Sequence, residues 1–288
     1  MSFPAVSRNV LITGCSSGIG LASAHMLKAR GWGVYPTARK ADDLKMLTDL
    51  GFDAIEMDVA SSESIQAGLA QVSERTQGVL GALVNNAGFG QGGAVEDLSR
   101  DAMRYQYEVN VFGLQELIHR TVPMFRAQQA GRIVNVSSVV GRIALPFLGA
   151  YSSSKFAVEA LSDALRIELD GTGIAVSIIE PGPIITDFRN NALEKIEPYT
   201  DPASSRFGDL FKREMTRRRD HVKKVGFINK PPEAVGEKVI HALESASPRR
   251  RYCVTLPAYA GALLRRFAPD ALIDHAFKTR LRKKSRPL

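Results

Sequence analysis

Tyr151 and Lys155 stand four residues apart in "YSSSK". On a helix that spacing puts both side chains on one face. A free phenol titrates near ~10 and is a poor proton-transfer group at neutral pH. An ammonium within reach favours the phenolate and lowers that value, so the pair can give or take a proton at a carbonyl or alcohol. Tyr151 is the only one of the seven tyrosines with a lysine at that distance, and there are thirteen lysines in 288 residues. About a third of such a match is expected by chance, so the pair carries weight only in company. Ser138, in "NVSS", ends an apolar run. A hydroxyl at the carboxyl edge of a buried strand can donate to a developing oxyanion, and it can equally be a turn residue or helix cap.

The second constellation is "TGCSSGIG", which puts Gly14, Gly18 and Gly20 where a first strand turns into a helix. Glycines let the backbone turn tightly and let a pyrophosphate approach without Cβ clashes. The freed N–H groups and the helix dipole then face an anion. The plainer alternative is a tight connection with no ligand. The second apolar run ends "TARK", with Arg39 and Lys40 where an NAD site carries an acid for the ribose 2′-hydroxyl. A cation there suits a 2′-phosphate, which favours NADP(H) while leaving NAD(H) open; a solvated surface arginine is the other reading.

These groups need a frame. Strand candidates begin at Asn9, Gly33, Ala54, Ala82, Arg132 and Ile174, each short, nearly continuous in apolar residues and closed by a turn signal. Strands buried on both faces of a parallel sheet read that way. Between them lie segments with helical spacing. One carries Ile19, Ala22, Met26 and Ala29; one follows Ser61, a candidate N-cap, with Ile65, Leu69 and Val72; one puts Ala157, Leu161, Leu165 and Leu169 on a stripe. The alternation predicts an α/β fold: a single Rossmann-type, doubly wound parallel sheet flanked by helices. A further helix is expected from "PPEAVGEKVIHALES" and a last strand from "RYCVTLP".

Taken in order, "TGCSSGIG", "NNAG" (Asn85 to Gly88), Asn110 in "VNVFG", Ser138, "YSSSK" and "PGPIIT" (Pro181 to Thr186) resemble the short-chain dehydrogenase/reductase family over residues 9 to 188, with weaker likeness to about 260. The resemblance implies that Ser138 polarises a substrate carbonyl and that Tyr151 transfers the proton. It implies that Lys155 holds the nicotinamide ribose and lowers the tyrosine pKa, and that Asn110 supports a water chain feeding the lysine. Thr186 would contact the carboxamide, and Asp58 and Asn86 would lie near the adenosine. It also places Ser16, Ser17 and Ile19 with the glycines, Val59 beside Asp58, Ala87 and Gly88 beside Asn86, and Pro181, Gly182 and Ile184 along the cofactor. On the residues alone, Asn110 could instead be a satisfied buried amide. Within the family the chain looks most like the branch of 17β-hydroxysteroid, retinol and broad aldehyde reductases.

Phe89, Val140, Phe147 and Pro183 are expected to border the substrate, together with Val139 and some of Phe188, Leu193 and Phe211. An apolar wall of this kind suits a hydrophobic aldehyde, ketone or alcohol. Residues 187 to about 230 lose the pattern and are expected to form a lid. One domain, 1–260, and a basic C-terminal extension, 261–288, are expected.

Residues 249 to 288 carry eleven Lys/Arg against Asp270 and Asp274, a surplus of nine where the whole chain has +8. That tail could lie on an anionic lipid surface, or it is a packed helix with a frayed basic end. No motif or aromatic interleaving supports nucleic acid. Cys15 and Cys253 read as free thiols, and the scattered histidines give no sequence-local metal site. Residues 1–8 leave no room for a signal peptide and no run suits a spanning helix, so a cytoplasmic protein is expected, at most at a membrane periphery. By the resemblance, a homodimer or homotetramer is expected. The rival classes are a non-catalytic NADP(H)-binding scaffold and an epimerase or dehydratase on the same core.

Overall fold

The computed structural model describes residues 2–186, 188, 205–220, 226 and 228–283, with the backbone alone at 218–220 and 280–283. In chain order the elements are β1 (Asn9–Ile12), α1 (Gly18–Lys28), β2 (Gly33–Ala38), α2 (Ala41–Asp49), β3 (Ile55–Glu56), α3 (Ser62–Arg75) and β4 (Ala82–Asn85). There follow α4 (Arg100–Tyr107), a π-helical segment (Glu108–Phe112), α5 (Gly113–Gln128), β5 (Gly131–Val136), α6 (Gly149–Glu168) and β6 (Ile174–Glu180). After these come α7 (Gly208–Asp220), α8 (Glu233–Glu244), β7 (Arg251–Cys253), α9 (Leu256–Phe267) and α10 (Asp270–Lys283).

The strands form one seven-stranded sheet in the order β3-β2-β1-β4-β5-β6-β7, and every pairing is parallel. This is the doubly wound sheet that the βα alternation predicts. The strands alternate their side chains between two cores, as a pleat requires. Val10 and Ile12 join Leu27, Val235 and Val239 on one face. Leu11 joins Leu83, Ile133, Leu117, Phe125 and Val158 on the other. With both faces covered, a strand has no polar side to show, which is why each reads as an unbroken apolar run. The strand order reverses between β1 and β4, and a crevice opens at the carboxyl ends of strands at such a point.

Helix starts follow local chemistry. Ser61 caps α3 by accepting from the Ser64 backbone N–H at 3.2 Å, and Ser99 caps α4 by accepting from Ala102 at 3.1 Å. Pro232 stands at the start of α8 with helical backbone angles.

Helix α6 differs from its sequence reading. Ala157, Leu161 and Leu165 are only half-buried, and Leu169 alone of the stripe is buried. The face turned inward carries Ser154, Lys155, Val158 and Ser162. It can be polar because its partners are built in: Asn110 donates to Ser154 Oγ at 3.0 Å and Asn135 to Ser162 Oγ at 2.9 Å. A hydrophobic stripe locates a buried face only where burial is apolar.

Of the expected lid, Leu193 lies outside the described residues, while Gly208–Asp220 forms α7. Helix α9 runs across residues 260 and 261 without a break. Among the described residues, no helix is long and apolar enough to cross a membrane.

Candidate functional site

A cleft of about 1310 Å³ opens at the carboxyl ends of the strands. The turn after β1 forms one wall. Gly14 has φ +70° and Gly18 φ +57°, a region closed to most side chains. A Cβ on Gly14 would lie 2.8 Å from Ala87 Cα, and one on Gly18 3.0 Å from Thr186 Cγ2. Ser17, in extended conformation, starts α1 without a side-chain cap bond, so the first-turn N–H groups stay available. A cradle that a single methyl would fill, facing uncapped helix amides, fits the pyrophosphate of a dinucleotide. Gly14, Ser16, Ser17, Gly18 and Ile19 line the cleft. Gly20 does not. It is a packing glycine, whose Cβ would meet Gly14 O at 2.3 Å and Asn86 Nδ2 at 2.6 Å.

The opposite bank comes from β4. Asn86 lines the cleft and also donates to the carbonyls of Thr13 and Gly14, both at 2.9 Å, while Thr13 Oγ1 accepts from the Asn86 and Ala87 backbones at 3.0 and 2.9 Å. Thr13 thus bolts the two strand ends together. Sequence reasoning passed over it because nothing local separates it from any strand-terminal threonine. Ala87, Gly88, Asp58 and Val59 also line the cleft.

Arg39 lines the cleft at the end of β2. Its Nη1 donates to Tyr105 Oη at 3.0 Å and lies 3.9 Å from the Asp58 carboxylate. The hydrogen bond to Tyr105 holds the guanidinium above its ordinary pKa, so it stays charged. Tyr105, on α4, is a second residue the sequence did not flag.

Ser138, Tyr151 and Lys155 line the same cleft. Lys155 is buried and its Nζ donates to Val136 O at 2.8 Å. Burial pushes the ammonium down to about 8, against an opposing pull from Glu159 one helical turn on. The Tyr151 ring lies 5.6 Å from that of Phe188 and close over Gly90, whose Cβ would sit 3.4 Å from its Cγ. Ser138 Oγ accepts from Val140 N at 3.3 Å, capping a short turn at Val139–Gly141, and reaches Pro181 O at 3.4 Å. Ser138 is thus a turn cap that also lines the cleft. Its own donor bond is longer than a normal O–H···O bond, so the proton is open to a better acceptor.

Asn110 does not line the cleft. It sits behind it in the π-helical segment, donating to Phe89 O and Ser154 Oγ and accepting from Phe89 N, each at 3.0 Å. Gln106 adds a bond to Phe89 O at 3.0 Å and accepts from Gln91 N at 2.7 Å. The satisfied-amide reading is what the geometry displays, and its effect is to fix the Phe89 backbone.

Of the expected substrate border, Phe89, Val140 and Pro183 line the cleft, with Val139 and Phe188; so do Pro181, Gly182, Ile184 and Thr186. Phe147 does not. It packs with Phe207 and Phe211 at ring distances of 6.0 and 5.8 Å, and Phe211 goes with it. A φ of +63° turns Phe147 into that cluster, which proximity in sequence to Tyr151 could not reveal. Sequence reasoning also missed the far wall: Pro257, Gly261 and Leu264 of α9 and Phe277 of α10. These residues are brought in by β7, over a hundred positions after Tyr151.

Beneath Lys155 lies a charge cluster. Arg251 contacts Glu159 and Asp163 and pairs with Glu180 at 2.6 Å; Arg142 stands 4.0 Å from Glu159 and 3.7 Å from Glu180. Burial raises the Glu159 carboxyl, and Arg251 acts against that rise.

The family model described as short chain dehydrogenase matches residues 8–197. The chain is 40% identical over 272 residues to the uncharacterized oxidoreductase YbbO of Escherichia coli (strain K12), covering 93% of each. It is 33% identical over 284 residues to the NADPH-dependent 3-dehydrocapnine reductase of Ornithobacterium rhinotracheale, covering 96% of this chain and 98% of that protein. It is 35% identical over 262 residues to retinol dehydrogenase 8 of Bos taurus, covering 85% and 81%. A solved short-chain dehydrogenase from Streptomyces avermitilis superposes with a TM-score of 0.76 at 28% identity, over 95% of this chain and 98% of that one.

Proposed function

The chain belongs to the short-chain dehydrogenase family, and from that premise we propose that it is an NADP(H)-dependent reductase of aldehydes or ketones carried on apolar small molecules. The observation that carries this reading is the placement of Ser138, Tyr151 and Lys155 on the same cleft as the Gly14–Ile19 turn. A dinucleotide would be held by that turn, by Asp58 and Asn86 to Gly88, by Lys155, and by Pro181 to Thr186. Bound reduced nicotinamide supplies the hydride.

The chain's own groups then handle the oxygen. Ser138, with only a long bond to Pro181 to give up, donates to the carbonyl oxygen and draws charge toward it. The Tyr151 hydroxyl delivers the proton that turns the oxyanion into an alcohol. Lys155 provides positive charge beside the phenol, and its lowered pKa lets it reload that phenol near neutral pH. Asn110 fixes Phe89, and Phe89, Val140 and Pro183 form an apolar border that excludes water around the reacting carbon.

NADP(H) preference rests on Arg39, held charged at the end of β2, and is supported by the NADPH-dependent relative. Self-association is supported by α6, whose outer face exposes Phe156 and Ile167.

The test is NADPH oxidation against a panel of apolar aldehydes and ketones, with Tyr151→Phe alongside. Stoichiometric NADP+ formation that falls by about 10³-fold or more in Tyr151→Phe is expected, with cofactor binding retained. Cofactor binding with no turnover of any carbonyl would favour the scaffold, and turnover without net NADP+ formation an epimerase or dehydratase.

A further inference from the structure

Helix α9 is apolar on two sides. One side closes the cleft with Gly261 and Leu264, and it packs so tightly that a Cβ on Gly261 would lie 2.7 Å from Val139 Cγ2. The other side faces solvent with Leu256, Tyr259, Leu263 and Phe267, which are 61, 56, 62 and 70% exposed. At 3.6 residues per turn these four fall within an arc of roughly 80°, a continuous stripe along three turns. A stripe of this size on a single chain marks a contact surface.

Charge names what covers it. Residues 256–288 hold eight Lys/Arg against two Asp, a surplus of six out of the chain's +8. Arg265 and Arg266 sit at the end of the stripe, and the Arg266 guanidinium lies 5.6 Å from the Phe267 ring centre. A long cationic side chain that lays its stem along an aromatic ring keeps its head at a polar boundary while the ring enters an apolar one. An apolar stripe that carries two aromatics and ends at Phe267, with the Arg266 cation beside it, matches the boundary between acyl chains and anionic headgroups.

We propose that α9 and α10 seat the protein on an anionic lipid surface, with the outer stripe of α9 in the bilayer boundary and the cleft mouth turned toward the lipid. Gly261 and Leu264 of α9 line the cleft, so the bilayer lies one helix thickness away from it. An apolar carbonyl compound dissolved in the membrane reaches the cleft by crossing that helix alone; this last clause rests on the function proposed above.

The experiment is co-sedimentation of the full chain with phosphatidylcholine vesicles, with and without about a third phosphatidylglycerol. The expected result is binding to the anionic vesicles that weakens as salt is raised, and little binding to neutral ones. Leu263→Glu with Phe267→Glu, both outside the cleft, is expected to cut that binding at least tenfold, while NADPH titration shows an unchanged fold. Absence of vesicle binding, equal binding to neutral vesicles, or full binding by the double variant would each overturn the proposal. So would dissociation of a homo-oligomer by the double variant in the absence of lipid, which would give the stripe to a second copy. Vesicle binding is read without turnover, so a chain that binds lipid yet reduces no carbonyl defeats the proposed function and leaves the docking surface standing.

Discussion

Arg39 at the end of β2 and Tyr105 on α4 are joined by a hydrogen bond of 3.0 Å, 66 residues apart in the chain. The phenol oxygen is the acceptor, so it aims a guanidinium that would otherwise settle on Asp58, 3.9 Å away. Tyr105→Phe is expected to weaken NADPH binding by about tenfold or less and to leave NADH binding unchanged. Arg39→Asp is expected to lower NADPH affinity far more than NADH affinity. Fluorescence titration of both cofactors checks this. Equal losses for the two would show that Arg39 does not read the 2′-phosphate.

Lys155 gives stability a pH dependence with a fixed sign. Its folded value is about 8 against an ordinary 10.5, so between those values the unfolded chain binds the extra proton. Stability of the cofactor-free protein should therefore rise with pH across that window, by about 3 kcal/mol if the whole shift counts. Lys155→Met should remove the rise. Denaturant midpoints of both proteins from pH 7.5 to 10.5 make the comparison. Parallel curves would contradict a buried ammonium at this position.

Gly20 tests whether the phosphate turn tolerates a methyl group. The clash at 2.3 Å is with the Gly14 carbonyl, a backbone atom that cannot swing away. Gly20→Ala is expected to cost about 1–3 kcal/mol and to weaken NADPH and NADH alike, since the turn itself shifts. Thermal unfolding and cofactor titration read both effects. A variant with normal melting and selective loss of one cofactor would refute the packing role.

Arg251 holds Glu159 and Glu180, two carboxylates with almost no access to water. Arg251→Met leaves Arg142, at 4.0 and 3.7 Å, as the guanidinium nearest to them. Destabilisation of about 3–5 kcal/mol is expected at pH 8. Without the arginine, the already raised Glu159 carboxyl climbs further, so the native variant binds more protons and loses stability as pH rises. The deficit should accordingly shrink at pH 5. Urea unfolding at the two pH values decides it.

Most of the frame was legible because a doubly wound sheet writes itself in continuous apolar runs. The expected start of β2 at Gly33 and of β6 at Ile174 coincide with the observed ones. The expected helices at Ile19 and after Ser61 are α1 and α3. Reading the site was harder in three ways. The inward face of α6 is polar and satisfied, so the hydrophobic pattern pointed to its flank. Phe147 is diverted by a positive φ that no motif signals. Thr13, Tyr105 and the α9 wall act across 66 residues or more, through contacts that only the folded chain creates. Residues tied to the motif turns fell where spacing put them; residues that hold those turns in place did not announce themselves.

The π-helical segment Glu108–Phe112 sets a rotational phase. It lets one continuous rod face two ways: Tyr105 and Gln106 point at Arg39 and the Gln91 backbone, while Gly113 fits against the Val59 carbonyl, 2.0 Å from where a Cβ would stand. Winding the same five residues as an ordinary α-helix would turn everything before them by roughly 90°. Gln106 would then swing away from Phe89, and Tyr105 from Arg39. The widened turn is a gear tooth that keeps the two ends of the cleft in step.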